Sequence, residues 1–422
     1  PVSTPPTIPP QPLSDLRVLT PWYAIEFLNS YAATLLTAGC YDYANKVLHA
    51  SPSTALWISA AWGLAYVFIC LNAGRLSERL GPRRVVGLTV LAAILTSLFG
   101  VASILLPYIF MLFTVMLPYN IASSSMWPAL ESAITRTQAQ TRLSTRTALY
   151  NLSWGSAGFA AFFTCGALEK IGFSTIFLVP ALCSLLALAI FYLSAPPENL
   201  VSKDHVPEEA AGEHDLDTPD QRTRAKRLLL MAWIGNTFAY VAIYVLIPVK
   251  FALATEAGLT SLTSIGIITS VWGFTRFAGF FITWRWSGWH YKTSWLLASQ
   301  FTLAVTFFLM LILHNPVILI LTQIFFGLAS ALIYSSSLYY AMHVSDGHGG
   351  HAGLHEALIG VGIVIGPAIG ALAGAGELGP PALLRIALAV TTLLLLGATA
   401  MALLAPSKSK RNPTARAGNT PE

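Results

Sequence analysis

Charge is what this sequence has least of. Asp, Glu, Lys and Arg make up 10% of its 422 residues, against about a quarter in a soluble protein. With 55% hydrophobic residues and a mean hydropathy of +0.63, the chain has too little polar surface to dissolve in water, which excludes most soluble enzymes and a nucleic-acid-binding domain. Cysteine is scarce too. Cys40, Cys70, Cys165 and Cys183 all lie in apolar runs, without the close spacing of a zinc site or a secreted disulfide framework, and read as small buried hydrophobes. No Gly-x-x-x-x-Gly-Lys-Ser/Thr loop occurs, so nothing points to use of ATP. No nucleophile, base and oxyanion donors group along the chain, so an intramembrane enzyme is not indicated. The opening residues, PVSTPPTIPPQP, lack the basic and apolar regions of a signal peptide and read as a disordered Pro-rich tail.

What is present is a series of long apolar runs. Twelve are long enough to cross a hydrocarbon layer about 30 Å thick at ~1.5 Å per residue. In rough spans these are 18–41, 54–73, 85–106, 108–131, 146–168 and 173–194, then 228–251, 262–284, 293–313, 316–342, 352–374 and 382–405. The expected class is therefore an all-α integral membrane protein. Its parts are a tail over 1–17, a six-helix half over 18–195, a polar linker over 196–227, a second six-helix half over 228–405 and a basic tail over 406–422.

Orientation follows from where Lys and Arg fall, because short cytoplasmic loops retain positive charge. With the N-terminus inside, nineteen of the 24 lie on the cytoplasmic side; only Lys46, Lys170, Lys250 and Arg385 lie outside, and Arg276 is within a span. Both termini are expected in the cytoplasm.

The sequence also repeats itself. Ser123-Ser124-Ser125-Met126 recurs as Ser335-Ser336-Ser337-Leu338, Trp62-Gly63 as Trp272-Gly273, Asn29 as Asn236, and Ala195-Pro196-Pro197 as Leu404-Ala405-Pro406, at offsets of 207 to 212 residues. Four anchors in one order predict two six-helix halves, and an even number of spans makes the repeat parallel. In transporters built this way the substrate site lies between the halves near the bilayer midplane.

The joint between the second and third spans carries a more specific signal. Gly74-Arg75-Leu76-Ser77-Glu78-Arg79-Leu80-Gly81-Pro82-Arg83-Arg84-Val85-Val86 resembles the loop motif of the major facilitator superfamily, Gly-x-Leu-Ala-Asp-Arg-x-Gly-Arg-Arg-x-x-Leu. It departs at Glu78, where Asp is usual, and at Pro82, where a basic residue is usual. Residues 284–292, Trp-Arg-Trp-Ser-Gly-Trp-His-Tyr-Lys, read as a degenerate second copy. The resemblance implies the major facilitator fold, twelve transmembrane helices in two parallel six-helix repeats. It also implies that Glu78 pairs with a motif arginine and with the positive start of the span near His351, latching the cytoplasmic side shut. Read from the residues alone, Gly74 lets helix ends approach, Gly81 permits a sharp turn, and Arg79, Arg83 and Arg84 hold the loop on the anionic side of the membrane. The arginines as topological determinants only remain the alternative.

A charge inside the bilayer is costly and marks a partner or a wet cavity. Glu26 lies nine residues beyond Arg17 and Arg276 nine before Arg285, which puts each ~13 Å above the inner edge. Asn236 is at the same level, and Asn29 is one turn from Glu26 on the same helix face. These predict a polar cavity in which Arg276 binds an anionic group and Glu26 carries a proton or a substrate hydrogen bond. Tyr150, Asn151, Trp154, Tyr240 and Tyr244 could add stacking and hydrogen bonds. The competing reading is that Glu26 and Arg276 neutralise each other and the aromatics only pack.

Four histidines crowd residues 343–355. His351 and His355 could ligate a metal with Glu356 or Asp346, or form a pH-sensitive gate, but a solvated loop is the expected reading and no metal or cofactor is assigned. Glu356 is expected to meet Arg142 or Arg146 when the inner side closes. Gly362, Gly366, Pro367 and Gly370 predict a close helix crossing and a bend.

The function expected is a monomeric secondary transporter in the plasma (inner) membrane, moving a small organic solute by alternating access, with protons as candidate coupling ions and no nucleic-acid partner. A non-transporting receptor on the same fold is the rival. A drug/proton antiporter is less well supported: its usual Arg in the fourth span is missing between Phe110 and Ala133, and its usual Gly-Pro motif in the fifth span appears in the eleventh.

Overall fold

The computed structural model describes residues 12–103, 109–137, 139, 141–197, 200–201, 218–344, 349–374 and 379–405. Among them the chain forms thirteen helices and no strand. The first half holds α1 (Pro12–Lys46), α2 (Pro52–Leu80), α3 (Pro82–Ser103), α4 (Ile109–Arg136), α5 (Leu143–Ile171) and α6 (Thr175–Ser194). The second holds α7 (Pro219–Glu256), α8 (Leu262–Thr269), α9 (Val271–Arg285), α10 (Thr293–Ile312), α11 (Pro316–Val344), α12 (Gly349–Gly374) and α13 (Pro380–Leu404). Over the described residues each expected span is helical, the eighth as two pieces, α8 and α9. Residues 1–11, most of the linker, the basic tail and Asp346 lie outside the described residues; α1 begins inside the expected tail, at Pro12, and α7 inside the expected linker, at Pro219.

Local chemistry sets the ends. Proline occupies the first position of α2, α3, α7, α11 and α13, where its missing N–H costs no helical bond. Thr218 and Gln221 close a capping box on α7. The eighth span breaks at Ser270, whose hydroxyl bonds the Ile267 carbonyl at 2.8 Å. Gln323 bridges the break, donating to Ile268 O at 2.9 Å and accepting from Trp272 N at 3.4 Å.

Nine helical segments among the described residues are long and apolar enough to cross a membrane. The other long helices, α1, α4 and α5, are 35, 28 and 29 residues long. They carry Glu26, Asn29, Asn120, Glu131 and Asn151, all buried. A polar side chain within a spanning helix avoids lipid by facing the protein interior.

At the α2–α3 joint Gly81 takes φ +89° and its N–H bonds Ser77 O at 3.0 Å, a backbone that favours glycine. Arg83 donates to Pro196 O at 2.8 Å and lies 4.4 Å from the centre of the Phe191 ring, so it ties the start of α3 to the end of α6. Glu78 is half-buried, while Arg79 and Arg84 are exposed.

The halves meet through α2 against α12 and α5 against α9, the pairs that a two-fold repeat exchanges. On the face carrying the α2–α3 joint they are in close contact. A Cβ on Gly353 would stand 2.8 Å from the Cys70 carbonyl and 3.3 Å from Gly74 Cα, so only glycine fits. Gly362 and Gly366 pack instead on α7 within the second half. One buried apolar cluster runs across both halves here, from Trp22 and Leu130 to Leu338 and Ala357. Toward the opposite face α2 and α12 stay packed, a Cβ on Gly370 standing 3.2 Å from Leu56 Cδ2.

Candidate functional site

Between the halves lies a cavity of about 980 Å³. It is lined by Glu26, Ser30 and Thr34 of α1, Trp62 and Tyr66 of α2, Trp127 of α4 and Tyr150 and Trp154 of α5. From the second half come Tyr240 and Tyr244 of α7, Arg276 of α9, Tyr334 of α11 and Glu356 of α12. A mostly aromatic wall with a few convergent polar groups is the usual form of a small-molecule site.

Arg276 sits on the buried stripe of α9, with Gly273, Gly279, Phe280 and Thr283. Its guanidinium carbon is 4.5 Å from the centre of Trp154, 5.2 Å from Tyr240, 5.3 Å from Tyr334 and 5.7 Å from Phe280. Trp154 comes from the first half, so this ring cage closes across the interface. The only hydrogen bond of the guanidinium among the described residues runs from Nη2 to the Tyr240 hydroxyl at 3.3 Å, and its Nε has no acceptor. No carboxylate among the described residues pairs with it. Ring faces stabilise a cation without neutralising it, so Arg276 retains its charge for a ligand.

Glu26 faces the same cavity without reaching Arg276. Its Oε1 accepts from Ser30 at 2.6 Å, Ser30 accepts from Trp127 Nε1 at 3.3 Å, and Oε2 has no partner. Glu356 accepts from the Tyr66 hydroxyl, a contact between the halves. Beside it stand His355 and Glu131, and one ligand atom from each of the three lies within 4.8 Å of the others.

A second space, of about 900 Å³, opens toward the opposite face and shares Phe162, Ile247 and Trp272 with the central cavity. Phe162 of the first half and Trp272 of the second stand 5.9 Å apart between ring centres and partition the two. Around the outer space Lys46 bonds Glu169 at 2.7 Å and pairs with Asp42 at 3.7 Å, while Lys250 reaches Asp42 from the other half at 3.8 Å. Burial, followed by the Asp42 carboxylate beside it, pushes Glu169, beyond the end of the fifth span, above the ordinary carboxylate range; Lys46 opposes this.

The cavity thus collects Glu26, Tyr150, Tyr240, Arg276 and Glu356 of the expected residues, and leaves three behind. Asn29 Oδ1 accepts from Ser123 at 3.3 Å, so α1 turns it toward α4. Asn236 is buried one turn nearer the joint face than Tyr240, beyond the end of the cavity. Asn151 accepts from Trp154 at 3.3 Å and lines a separate cleft at the joint face, with Arg142, Thr283 and Arg285.

The expected pairing of Glu356 with Arg142 or Arg146 is not what this state contains. Arg142 is exposed. Arg146 is fully buried and donates to the carbonyls of Ile134, Thr135 and Thr137 at 2.9 Å, Thr141 at 2.8 Å, and Ala139. The last carbonyls of α4 lack helical donors, and this guanidinium supplies them. The solvated loop expected over 343–355 is not what its described residues show: His343 and His355 are buried, Glu131 stands beside His355, and the His351 ring lies tilted 6.1 Å from Trp233. Glu131 was missed because it is the last residue of the span 108–131, where an acid reads as a helix end in water; α4 runs on to Arg136 and carries it inside.

The sequence profile of the Major Facilitator Superfamily matches residues 23–260 and again residues 232–421. No curated protein matches the chain in sequence at a significant level. Among solved structures, the human organic anion transporter MFSD10 (TETRAN) superposes with a TM-score of 0.69 at 16% identity, over 93% of this chain and 100% of its own. The nucleoside transporter NupG does so with a TM-score of 0.68 at 12% identity, over 93% of this chain and 100% of its own. At such identities the likeness is one of fold.

Proposed function

The chain belongs to the major facilitator superfamily, a family of transporters, and on that premise we propose that it moves a small organic anion with a flat or aromatic body by alternating access. The observation that carries this reading is Arg276, a buried cation caged by four aromatic rings from both halves, with no carboxylate of its own. An anionic group completes its hydrogen bonds, and the rings stack on the rest of the solute. The description of MFSD10 as an organic anion transporter agrees with this and adds no residue to it.

With both termini in the cytoplasm, the joint face is the inner one and the state seen is closed inside. Rocking the halves separates α2 from α12 and brings the outer walls together. Glu78 latches the closed joint face. Glu26 is the coupling group: its free Oε2 takes a proton, and the protonated acid admits an anion that the charged one repels. Proton and anion then travel together, through a monomer in the plasma membrane.

Transport into proteoliposomes tests this. A panel of aromatic carboxylates should include one whose uptake responds to a proton gradient, and Arg276→Lys should lose affinity for it, because an ammonium cannot reproduce the planar two-pronged contact. Glu26→Gln should lose uphill uptake yet keep exchange. Uptake of neutral solutes only, or full activity in Arg276→Lys, would overturn the anion assignment.

A further inference from the structure

We infer that Glu131, His355 and Glu356 form a site for a divalent transition-metal ion that bridges the two halves and holds the joint face shut. Glu131 projects from α4 of the first half, His355 and Glu356 from α12 of the second. All three are buried, with at most 4% of any side chain or residue exposed.

Each ligand has an anchor or a free atom in the right place. Ser337 Oγ lies 2.9 Å from His355 Nδ1 and fixes the ring, leaving Nε2 without a partner. Tyr66 holds one oxygen of Glu356, and the other stands 3.9 Å from His355 Nε2. Neither oxygen of Glu131 has a hydrogen-bond partner. Hydroxyl partners that orient a ligating imidazole and carboxylate from behind are a regular part of metal sites.

The charge supports the same conclusion. As ligands, two ionised carboxylates and a neutral imidazole would carry a formal charge of about −2, and no lysine or arginine among the described residues pairs with either acid. A buried charge needs a partner. One divalent ion supplies it and occupies the unpartnered atoms. One imidazole with two carboxylates suits Zn²⁺, Mn²⁺ or Fe²⁺, whereas Ca²⁺ takes about six to eight oxygens. Ligand atoms up to 4.8 Å apart close on such an ion by small side-chain rotations. Because its ligands come from both halves, the ion is held while the joint face is closed and released when it opens. It therefore favours the state seen here.

Full-length protein in nanodiscs, stripped with chelator, is titrated with Zn²⁺ and with Mn²⁺ in the absence of solute. About one equivalent should bind per chain. Glu131→Gln and His355→Gln should each weaken binding by at least tenfold, and Ser337→Ala by about tenfold. Spin labels on the joint-face ends of α2 and α12 should report a larger closed population with Zn²⁺ in the wild type, and no change in Glu131→Gln. The label measurement on wild type stands if a variant fails to fold. Absence of saturable binding at 100-fold excess of either ion, or equal binding in the variants, would overturn the site and leave two acids that hold protons. Neither result depends on which solute Arg276 takes.

Discussion

Asp42 and Glu169, toward the face opposite the joint, stand with Lys46 and Lys250, whereas Glu131 and Glu356, toward the joint face, have Tyr66 and His355 beside them and no lysine or arginine paired with them among the described residues. Both groups place three donor atoms within 4.8 Å, Cys165 completing the first. The difference lies in charge and water. In the first group each acid has a lysine; the acids are 5% and 7% exposed but Lys46 is 35% exposed, so solvent reaches its pairs from the lysine side and weakens them. The second group is buried at the wall of the central cavity and has no lysine or arginine paired with it among the described residues. Of the first kind only Lys250–Asp42 crosses the halves; on the inference above, the second kind separates as the bound ion leaves.

Arg276 lies between these groups and is the reverse case, a buried cation without an acid. Its removal should give the largest effect. Arg276→Gln is expected to cost about 1.5–3 kcal/mol of affinity for the anion, the worth of a hydrogen bond to a charged group, read as a ten- to hundredfold rise in Kd by ligand titration. If affinity is unchanged, the ring cage is packing alone.

Glu356→Leu should come next. It leaves the Tyr66 hydroxyl buried without its acceptor, at about 1–3 kcal/mol, and removes a contact between the halves. A drop in Tm of several degrees is expected, smaller in Tyr66→Phe/Glu356→Leu, where both partners are gone. Equal losses in the single and double variants would break the contrast from the closed side.

Lys250→Gln should do less. Its pair with Asp42 is long and the side chain is 18% exposed, so about 1 kcal/mol or less is at stake, and most of it should vanish in high salt. The useful readout is the distance between labels on the outer ends of α1 and α7, which should widen. A stability loss larger than that of Glu356→Leu would reverse the comparison.

The smallest effect should come from pH. The pKa of Glu169 is raised in the folded protein, so the folded state keeps this proton to higher pH than the unfolded chain. Its contribution to stability is present below the ordinary carboxylate range and is lost as pH climbs through the raised value. Tm followed across mildly acidic pH should therefore decline slightly in wild type and less in Glu169→Gln. Identical slopes would show that Lys46 already compensates the acid.

Apolar run length and the positions of Lys and Arg were enough to place the helices, because the cost of unpaired backbone in hydrocarbon allows little besides spanning helices. The 207–212-residue repeat likewise announced two parallel halves. Nine residues from a flanking arginine sets Glu26 and Arg276 at one level, and both line the cavity. What the sequence could not give was the side of the helix and the partner across the interface. Asn29 is only one turn from Glu26, yet packing rotates it toward Ser123. Arg146 had the charge for Glu356 but is held by the end of its own neighbour, α4. Glu131 gained its role only because α4 continues past it and α12 delivers His355 and Glu356, more than two hundred residues later, to the same buried point. Helical rise is a property of the chain and can be counted along it, whereas which polar atoms share a buried volume is decided by packing between distant helices, and only the tertiary structure holds that information.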